Sequence, residues 1–236
     1  MTTAMLDAMI GRKGGDKVQR TTKTGSASKS RRAAPDDGEA PVKASTKRRD
    51  QIVQAAVRLF SENGYFVTTI DDIAREADVS KGLIYVHFKD KNDLLFYALR
   101  FVLEMYEKDI LSLLGRSGGD PLTMLRTVFR DYCRIVSEHK RETVLAYRST
   151  KDLNSKERSC VKLLETKLCR VFRGCLETCI HKGIMVPVNI DIMVYQYLMF
   201  SHTWALKNWA LRDEYSFEEY LANGEKMLID AFLTKR

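Results

Sequence analysis

The segment that most constrains the fold is residues 68–91, "TTIDDIAREADVSKGLIYVHFKDK". Thr69 is a good N-cap for a helix of about two turns, and the apolar residues that follow it recur on one face at Ile70, Ile73, Ala74 and Ala77. Residues 78–80 then predict a tight turn, and Ser80 predicts the cap of a further short helix. Two short helices joined in this way are a helix-turn-helix, whose second helix enters the major groove of DNA.

Gly82 lies in the first turn of that second helix, although helix interiors disfavour glycine by roughly 1 kcal/mol relative to alanine. One interpretation is that glycine is merely tolerated near a helix start. The other is that the missing side chain lets the positive end of the helix approach phosphates or base edges closely. The flanking residues favour the second interpretation because they include several donors to phosphate oxygens: Lys81, Tyr85, His87, Lys89 and Lys91.

The run "TTIDDIAREADVSKGLIYVHFKDKNDLL" resembles the DNA-binding domain of TetR-type transcriptional repressors. That family's pattern has two threonines, Ile-Ala, a Gly-Val-Ser turn, Lys-Gly, a tyrosine and His-Phe, then lysine and leucine. The resemblance extends from residue 47 to about residue 105. One departure is Asp78, where the family usually has glycine, but aspartate tolerates the left-handed conformation better than most residues.

The resemblance implies a role for each matching residue. Thr69 resembles a phosphate-contacting cap, Lys81 and Gly82 match the base-facing helix start, and Leu83 is placed for a thymine methyl. Tyr85, His87 and Lys91 resemble phosphate ligands. The alternative for His87 is that it packs inward, and the alternative for Lys47 is that it is a solvated charge. The predicted DNA-binding residues are therefore Lys47, Thr69, Ser80, Lys81, Gly82, Leu83, Tyr85, His87 and Lys91.

The remaining sequence predicts an all-α fold in three parts. Residues 1–45 hold nine Lys or Arg against five Asp or Glu with few apolar residues, which predicts a disordered basic arm. Residues 46–91 form the three-helix DNA-binding domain. Residues 92–236 read as a long helix from Asn92 and five further helices, forming a helical bundle for ligand binding and dimerisation.

The segment 191–211 is apolar nearly all round, so a helix there must be covered on more than one side. In TetR-like proteins the late helices pack against a second subunit, which implies that residues 192–211 and 217–232 form much of a homodimer interface. A purely internal core helix is the alternative. The family also implies a near-palindromic double-stranded DNA operator, from which the dimer is released when a small molecule binds the body.

The effector is indicated by a looser resemblance. An arginine after "LAY", the run "HKGIMVPVNID" and the ending "WALKNWALRDEYSFEEYL" are similar to TetR-like regulators of fatty-acid and acyl-CoA breakdown. This resemblance implies a hydrophobic acidic effector such as an acyl-CoA, with a mostly apolar tunnel for its chain and with Arg148 or exposed lysines meeting the CoA phosphates. The candidate ligand-binding residues are Tyr147, Arg148, His202, Trp204 and Asn208.

Other functions receive less support from the sequence. An enzyme is not predicted, because the four histidines lie on separate elements without a nucleophile or phosphate loop beside them. A metal or redox sensor would use Cys175 and Cys179, but a helical stripe explains both as core, and no metal or other cofactor is expected. An activator of the same fold remains open. Without a membrane-length apolar run or signal peptide, we expect a cytoplasmic protein.

Overall fold

A computed structural model describes residues 39–114 and 119–235, and confirms the all-α fold. Over these residues the regular secondary structure is helical, with one isolated antiparallel bridge between Met185 and Leu233. The α-helices are α1 (Glu39–Asn63), α2 (Ile70–Glu76), α3 (Lys81–His87), α4 (Lys91–Leu114), α5 (Pro121–Glu138), α6 (Lys140–Ser149), α7 (Ser155–His181), α8 (Ile190–Leu206), α9 (Asn208–Leu211) and α10 (Phe217–Leu228). Short 3₁₀ turns follow α6 (Thr150–Asp152) and α10 (Asp230–Phe232).

Helix α1 begins earlier than the sequence predicted. Residues 39–45, assigned above to the disordered arm, form its first turns, whereas residues 1–38 of that arm lie outside the described residues. Pro41 is compatible with this start because the first N–H groups of a helix have no partner within the helix. The surrounding residues include alanine, a strong helix former, so the sequence "EAPVKAS" extends the helix rather than ending it.

Helices α1, α2 and α3 form the head of the molecule around one small core. Phe60 of α1, Ile73 of α2 and Ile84 of α3 are each almost fully buried in it. Asp78 has φ of 51°, so the turn between α2 and α3 does adopt the left-handed conformation that glycine usually supplies. The predicted helix-turn-helix is thus present, with the predicted caps on both of its helices.

Helix α4 connects this head to the body. Its buried face packs against α1 in the head and against α5 and α7 in the body. Helix α6 also packs against α1, so the head rests on the body through two helices. The body is completed by α8, which packs against α5, α6 and α7, and by α10, which lies against α8 and α5.

The long apolar helix predicted for 191–211 ends at Leu206 and is followed by the short helix α9. The break at Lys207 lets the chain turn back, so that Phe217 reaches Trp204 at 5.5 Å and Tyr220 stacks on Phe200 at 4.2 Å between ring centroids. Ten more residues of straight helix would instead have carried the chain about 15 Å beyond Leu206.

Gly224 permits the close packing of α10 on α8. A Cβ atom at this position would overlap the ring of Phe200, so a larger residue would require either that ring or the two helices to move. No helix within the described ranges is both long enough and apolar enough to cross a membrane.

Candidate DNA-binding surface and ligand cavity

The start of α2 is held by a reciprocal cap. The Thr69 hydroxyl accepts from the backbone N–H of Asp72 at 3.1 Å, and the Asp72 carboxylate accepts from the backbone N–H of Thr69 at 3.0 Å. The hydrogen bonds from Thr69 lower the pKa of Asp72 and keep it ionised. Thr69 is therefore fixed at the exposed end of α2, where the predicted phosphate contact requires it.

The start of α3 is organised by Ser80 and Lys81. The Ser80 hydroxyl accepts from the N–H of Leu83 at 3.2 Å. The ammonium of Lys81 donates to the carboxylate of Asp71 at 2.7 Å, and this hydrogen bond raises the pKa of Lys81. The ion pair ties the starts of α2 and α3 together, and both partners are exposed, so water and salt weaken it.

Gly82 is not required by the packing of the protein itself. A Cβ atom there would have only the Ser80 hydroxyl within 4 Å, at 3.9 Å, and the backbone is not in the left-handed region. The fold therefore has room for a side chain at this position. Packing within the described structure thus gives no reason for the glycine, although alanine would favour helix α3, and the close approach of DNA stays a prediction.

The outer surface of α3 presents several of the other predicted residues. Tyr85 and Val86 are exposed, and Leu83 is half-buried beside them. His87 is also half-buried, and its ring centroid lies 6.3 Å from that of the neighbouring Phe88. Lys47 is exposed, but because α1 begins at Glu39 it lies more than two turns into the helix rather than at its start. The sequence missed Val86 as a member of this surface.

Two basic residues near this surface are engaged inside the protein. The Lys91 ammonium donates to the Phe66 carbonyl at 3.2 Å and lies 4.6 Å from the centroid of the Tyr65 ring, and burial lowers its pKa. Lys91 thus holds the loop between α1 and α2. The guanidinium of Arg49 lies 4.0 Å from the centroid of the Tyr97 ring and joins α1 to α4.

A cavity of about 240 Å³ opens inside the body, where α4, α5, α6, α7 and α8 meet. Most of its wall is apolar, and a few hydroxyl, imidazole and charged groups project into it. Its lining residues are Val102, Leu103, Tyr106, Tyr132, Thr143, Ala146, Tyr147, Thr150, Val161, Lys162, Glu165, Leu168 and His202. An apolar pocket with a small number of placed polar groups is typical of small-molecule sites.

His202 joins two tyrosines in the wall of this cavity. Its Nε2 lies 2.6 Å from the Tyr132 hydroxyl, and its Nδ1 lies 2.9 Å from the Tyr147 hydroxyl. Burial lowers the pKa of His202 to about 4, so the imidazole is neutral at pH 7, with one nitrogen donating and the other accepting. Of the five predicted ligand residues, the structure thereby brings two together in this cavity, Tyr147 and His202.

Glu165 and Lys162 are charged lining residues that the sequence analysis missed. Burial raises the pKa of Glu165, and the neighbouring Lys162 partly opposes this shift. The sequence did contain a signal for Glu165, because this residue is one helical turn from both Val161 and Leu168 in the buried stripe of α7. A carboxylate within such a stripe indicates either a partner or a cavity.

The structure separates the other three predicted ligand residues from this cavity. Trp204 packs in the core against Phe217 and Tyr220, since α10 covers that side of α8. Asn208 begins α9, because α8 ends before it. Arg148 is exposed on the opposite side of α6 from the cavity, and it lines a groove facing the head.

Cys175 and Cys179 belong to the core of the body. Burial raises the pKa of their thiols to about 12 and about 11, which disfavours the thiolate that redox or metal chemistry needs. Among the residues that the structure describes, no group of three His, Cys, Asp or Glu side chains is arranged to hold a metal ion. The metal or redox sensor is therefore not favoured.

A helix-turn-helix head on a helical body with a ligand cavity defines the protein as a DNA-binding transcriptional regulator. Residues 52–98 match the family of bacterial regulatory proteins described as the tetR family. Over 190 residues the chain is 44% identical to the HTH-type transcriptional regulator HbdR of Aromatoleum sp. (strain CIB), covering 80% of this chain and 82% of HbdR. The chain belongs to the TetR family.

Solved structures show the same fold at lower sequence identity. AibR, in complex with isovaleryl coenzyme A and operator DNA, superimposes with a TM-score of 0.66 at 21% identity, covering 77% of this chain and 97% of AibR. FadR from Bacillus subtilis, in complex with stearoyl-CoA, gives a TM-score of 0.64 at 18% identity, covering 78% of this chain and 98% of that one.

Replacing Gly82 by alanine should separate folding from DNA binding. We expect the free energy of unfolding to be unchanged or higher by up to about 1 kcal/mol, because the site has room for the methyl group. We expect operator affinity to fall roughly tenfold or more, since losing a base-edge contact costs about 1–3 kcal/mol. Urea unfolding and fluorescence anisotropy measure the two quantities, with Lys156→Ala on α7 as a control. Unchanged operator affinity would contradict the close approach at Gly82.

We expect the free energy of unfolding to fall in mild acid because of His202. The unfolded side chain binds a proton near pH 6.5 and the folded one only near pH 4, so the unfolded state takes up more protons between these values. Lowering the pH from 7 to 5 should therefore cost about 2 kcal/mol through this residue alone. His202→Gln should lose that part of the pH dependence, whereas the exposed His181→Gln should keep it. The free energy of unfolding is measured with urea at several pH values. If it changed with pH equally in the two variants, the assignment to His202 would be refuted.

Proposed function

We propose that the protein is a transcriptional repressor that binds a near-palindromic operator as a homodimer and is released by a small hydrophobic effector, an acyl-CoA. The observation that carries the proposal is the position of the cavity. Val102, Leu103 and Tyr106 of α4 form part of its wall. Only three residues separate the end of α3 at His87 from the start of α4 at Lys91, so an occupant of the cavity touches the helix that follows the recognition helix in the chain.

The uncovered face of α8 supports the homodimer. One side of this helix is buried against the body, and the other exposes Ile192, Tyr195 and Met199 at helical spacing, with Ile192 60% exposed. Met227 on α10 is exposed as well. A second copy would cover an apolar surface that a monomer would otherwise leave in water.

The cavity supports the class of effector. Its mainly apolar wall suits an acyl group, and the hydroxyl of Tyr147 and the imidazole of His202 can orient a thioester carbonyl. Its volume of about 240 Å³ is somewhat below the roughly 300–1,000 Å³ of pockets for drug-sized ligands, which favours a compact acyl group. AibR and FadR, whose structures hold acyl-CoA ligands, share the fold.

Release would follow from a difference between two shapes of the dimer. Recognition helices that enter successive major grooves lie roughly 34–36 Å apart. An effector that binds more tightly to a body with another separation must weaken operator binding by the same coupling free energy, typically 1–3 kcal/mol. Because Val102 is fully buried in α4 and also lines the cavity, filling the cavity presses on that helix.

Met199→Glu should disrupt the dimer. The carboxylate would be buried at the proposed interface with the Tyr147 hydroxyl, now 3.1 Å from the Met199 sulfur, as a neighbouring donor in this chain, so we expect sedimentation at micromolar protein to show monomers. Operator affinity should fall by at least tenfold, because one head would then bind one half-site. Leu163→Glu, at an exposed apolar residue of α7 outside both predicted interface segments, is the matched control. A dimeric Met199→Glu variant would exclude this face as the interface.

Ala146→Trp should abolish the response to effector and weaken DNA binding even without one. The indole would fill the cavity beside Tyr147 and press on α4 as a bound effector does. Fluorescence anisotropy on DNA from upstream of the protein's own gene, at fixed salt, would test a series from isovaleryl-CoA to stearoyl-CoA. We expect at least one member to release the wild-type protein and none to release the variant. No calorimetric heat with any member would exclude the acyl-CoA class tested.

A further inference from the structure

A second concavity, of about 510 Å³, lies between the head and the body. Its head side is the end of α1 and the loop of residues 64–67, and its body side is α6 with the 3₁₀ turn that follows. We call it the junction groove. It is larger than the inner cavity, and it is built from both parts of the molecule whose relative position the effector must change.

The chemistry of the junction groove suits a nucleotide phosphate. Its described lining contains the cations Arg141, Arg148 and Lys151 and the acids Glu62 and Asp152. It also contains Phe66 and Val67, which are 77% and 74% exposed. Guanidinium groups recognise phosphates in bidentate geometry, and an exposed aromatic ring is a surface on which a nucleobase can stack.

Tyr147 lies between the junction groove and the inner cavity and lines both. Its hydroxyl faces the cavity, where it meets Nδ1 of His202 at 2.9 Å. The other lining residues of the two spaces lie on different sides of α6, so a ligand with an apolar group in the cavity would have to pass around α6 at this side chain to reach the junction groove. Acyl-CoA has that form, because a flexible arm joins its acyl group to a nucleotide with phosphates.

Arg141 is also part of the contact between body and head. Its guanidinium donates to the Glu62 carboxylate at 3.0 Å, and this ion pair links α6 to α1. The two side chains are 69% and 49% exposed, so the pair is weak and screened by salt. A phosphate in the groove carries more charge than Glu62 and can take both arms of the guanidinium.

We propose that the junction groove binds the nucleotide phosphates of the effector, and that these phosphates take Arg141 away from Glu62. The proposal rests on the acyl-CoA function proposed above and adds a second route to the head. The acyl group acts on α4 from inside the body, while the phosphates remove an ion pair that holds α1 against α6. Arg148 and Lys151 contribute to binding, and Glu62 is a positioning residue.

The first test is titration calorimetry of the full chain with isovaleryl-CoA and with free coenzyme A. The Arg148→Ala/Lys151→Ala variant should bind both ligands at least tenfold more weakly, and it should fold normally because both side chains are exposed. Lys156→Ala, which removes an equally exposed lysine outside the groove, should bind as the wild type does. Thermal unfolding of each variant checks the fold.

The second test uses Glu62→Gln, which leaves every groove cation in place and frees Arg141. This variant should bind free coenzyme A about two- to fivefold more tightly. It should also bind operator DNA about two- to fivefold more weakly without any ligand, because the head loses the same ion pair. A merely structural role for Glu62 would weaken operator binding without improving the binding of coenzyme A.

The outcomes separate the two proposals. If the Arg148→Ala/Lys151→Ala variant binds isovaleryl-CoA as tightly as the wild type does, the junction groove does not bind the phosphates. The acyl-CoA effector would still stand in that case. If the double variant binds ligand more weakly but Glu62→Gln binds coenzyme A and operator DNA as the wild type does, the phosphates do not compete with Glu62 for Arg141. Failure of the wild-type protein to bind any acyl-CoA or coenzyme A would overturn both the effector class and the groove.

Discussion

The architecture depends on one row of buried residues along α4: Leu94, Leu95, Ala98, Leu99 and Val102, all fully buried. The same helix packs against α1 in the head and against α5 and α7 in the body, and Val102 also borders the ligand cavity. A close-packed row of this kind does not deform gradually, because small shifts create voids or overlaps. The position of the head is therefore tied to the arrangement of the body, which is the kind of packing that the proposed coupling requires.

The helix-turn-helix was predictable because its determinants are local. The Thr69 cap involves Asp72, three residues away, and the Ser80 cap involves Leu83, again three residues away. The left-handed turn needs only one residue, Asp78, that tolerates a positive φ. The ion pair between Arg141 and Glu62 joins residues 79 positions apart, and nothing in their sequence neighbourhoods pairs them. Such contacts depend on how helices pack, which the spacing of apolar residues does not specify.

The prediction of ligand-binding residues was limited in the same way, because it also depends on how the helices pack. The sequence analysis named Trp204 of the late apolar segment as a candidate ligand residue, but α10 packs across α8 there and makes Trp204 part of the core. Arg148 immediately follows Tyr147 along α6, yet the two side chains differ in position, since only Tyr147 reaches the inner cavity. Glu165 was overlooked because its stripe was read as core. Periodicity indicates which face of a helix is buried, but not whether that face meets a neighbour or an empty space.

The polar groups of the cavity constrain how any effector can bind. His202 is buried and has a hydroxyl on each nitrogen, and an unpaired buried polar group costs about 1–3 kcal/mol. The Tyr147 hydroxyl is partly exposed and also lies 3.1 Å from the Met199 sulfur, so it has a second partner close at hand. A ligand that displaces Tyr147 must give Nδ1 of His202 a new partner. A thioester carbonyl only accepts, which requires Nδ1 to carry the proton and Nε2 to accept from Tyr132. A purely apolar occupant that displaced Tyr147 would leave this nitrogen unpaired, at a cost of the same order as the usual coupling free energy between effector and operator.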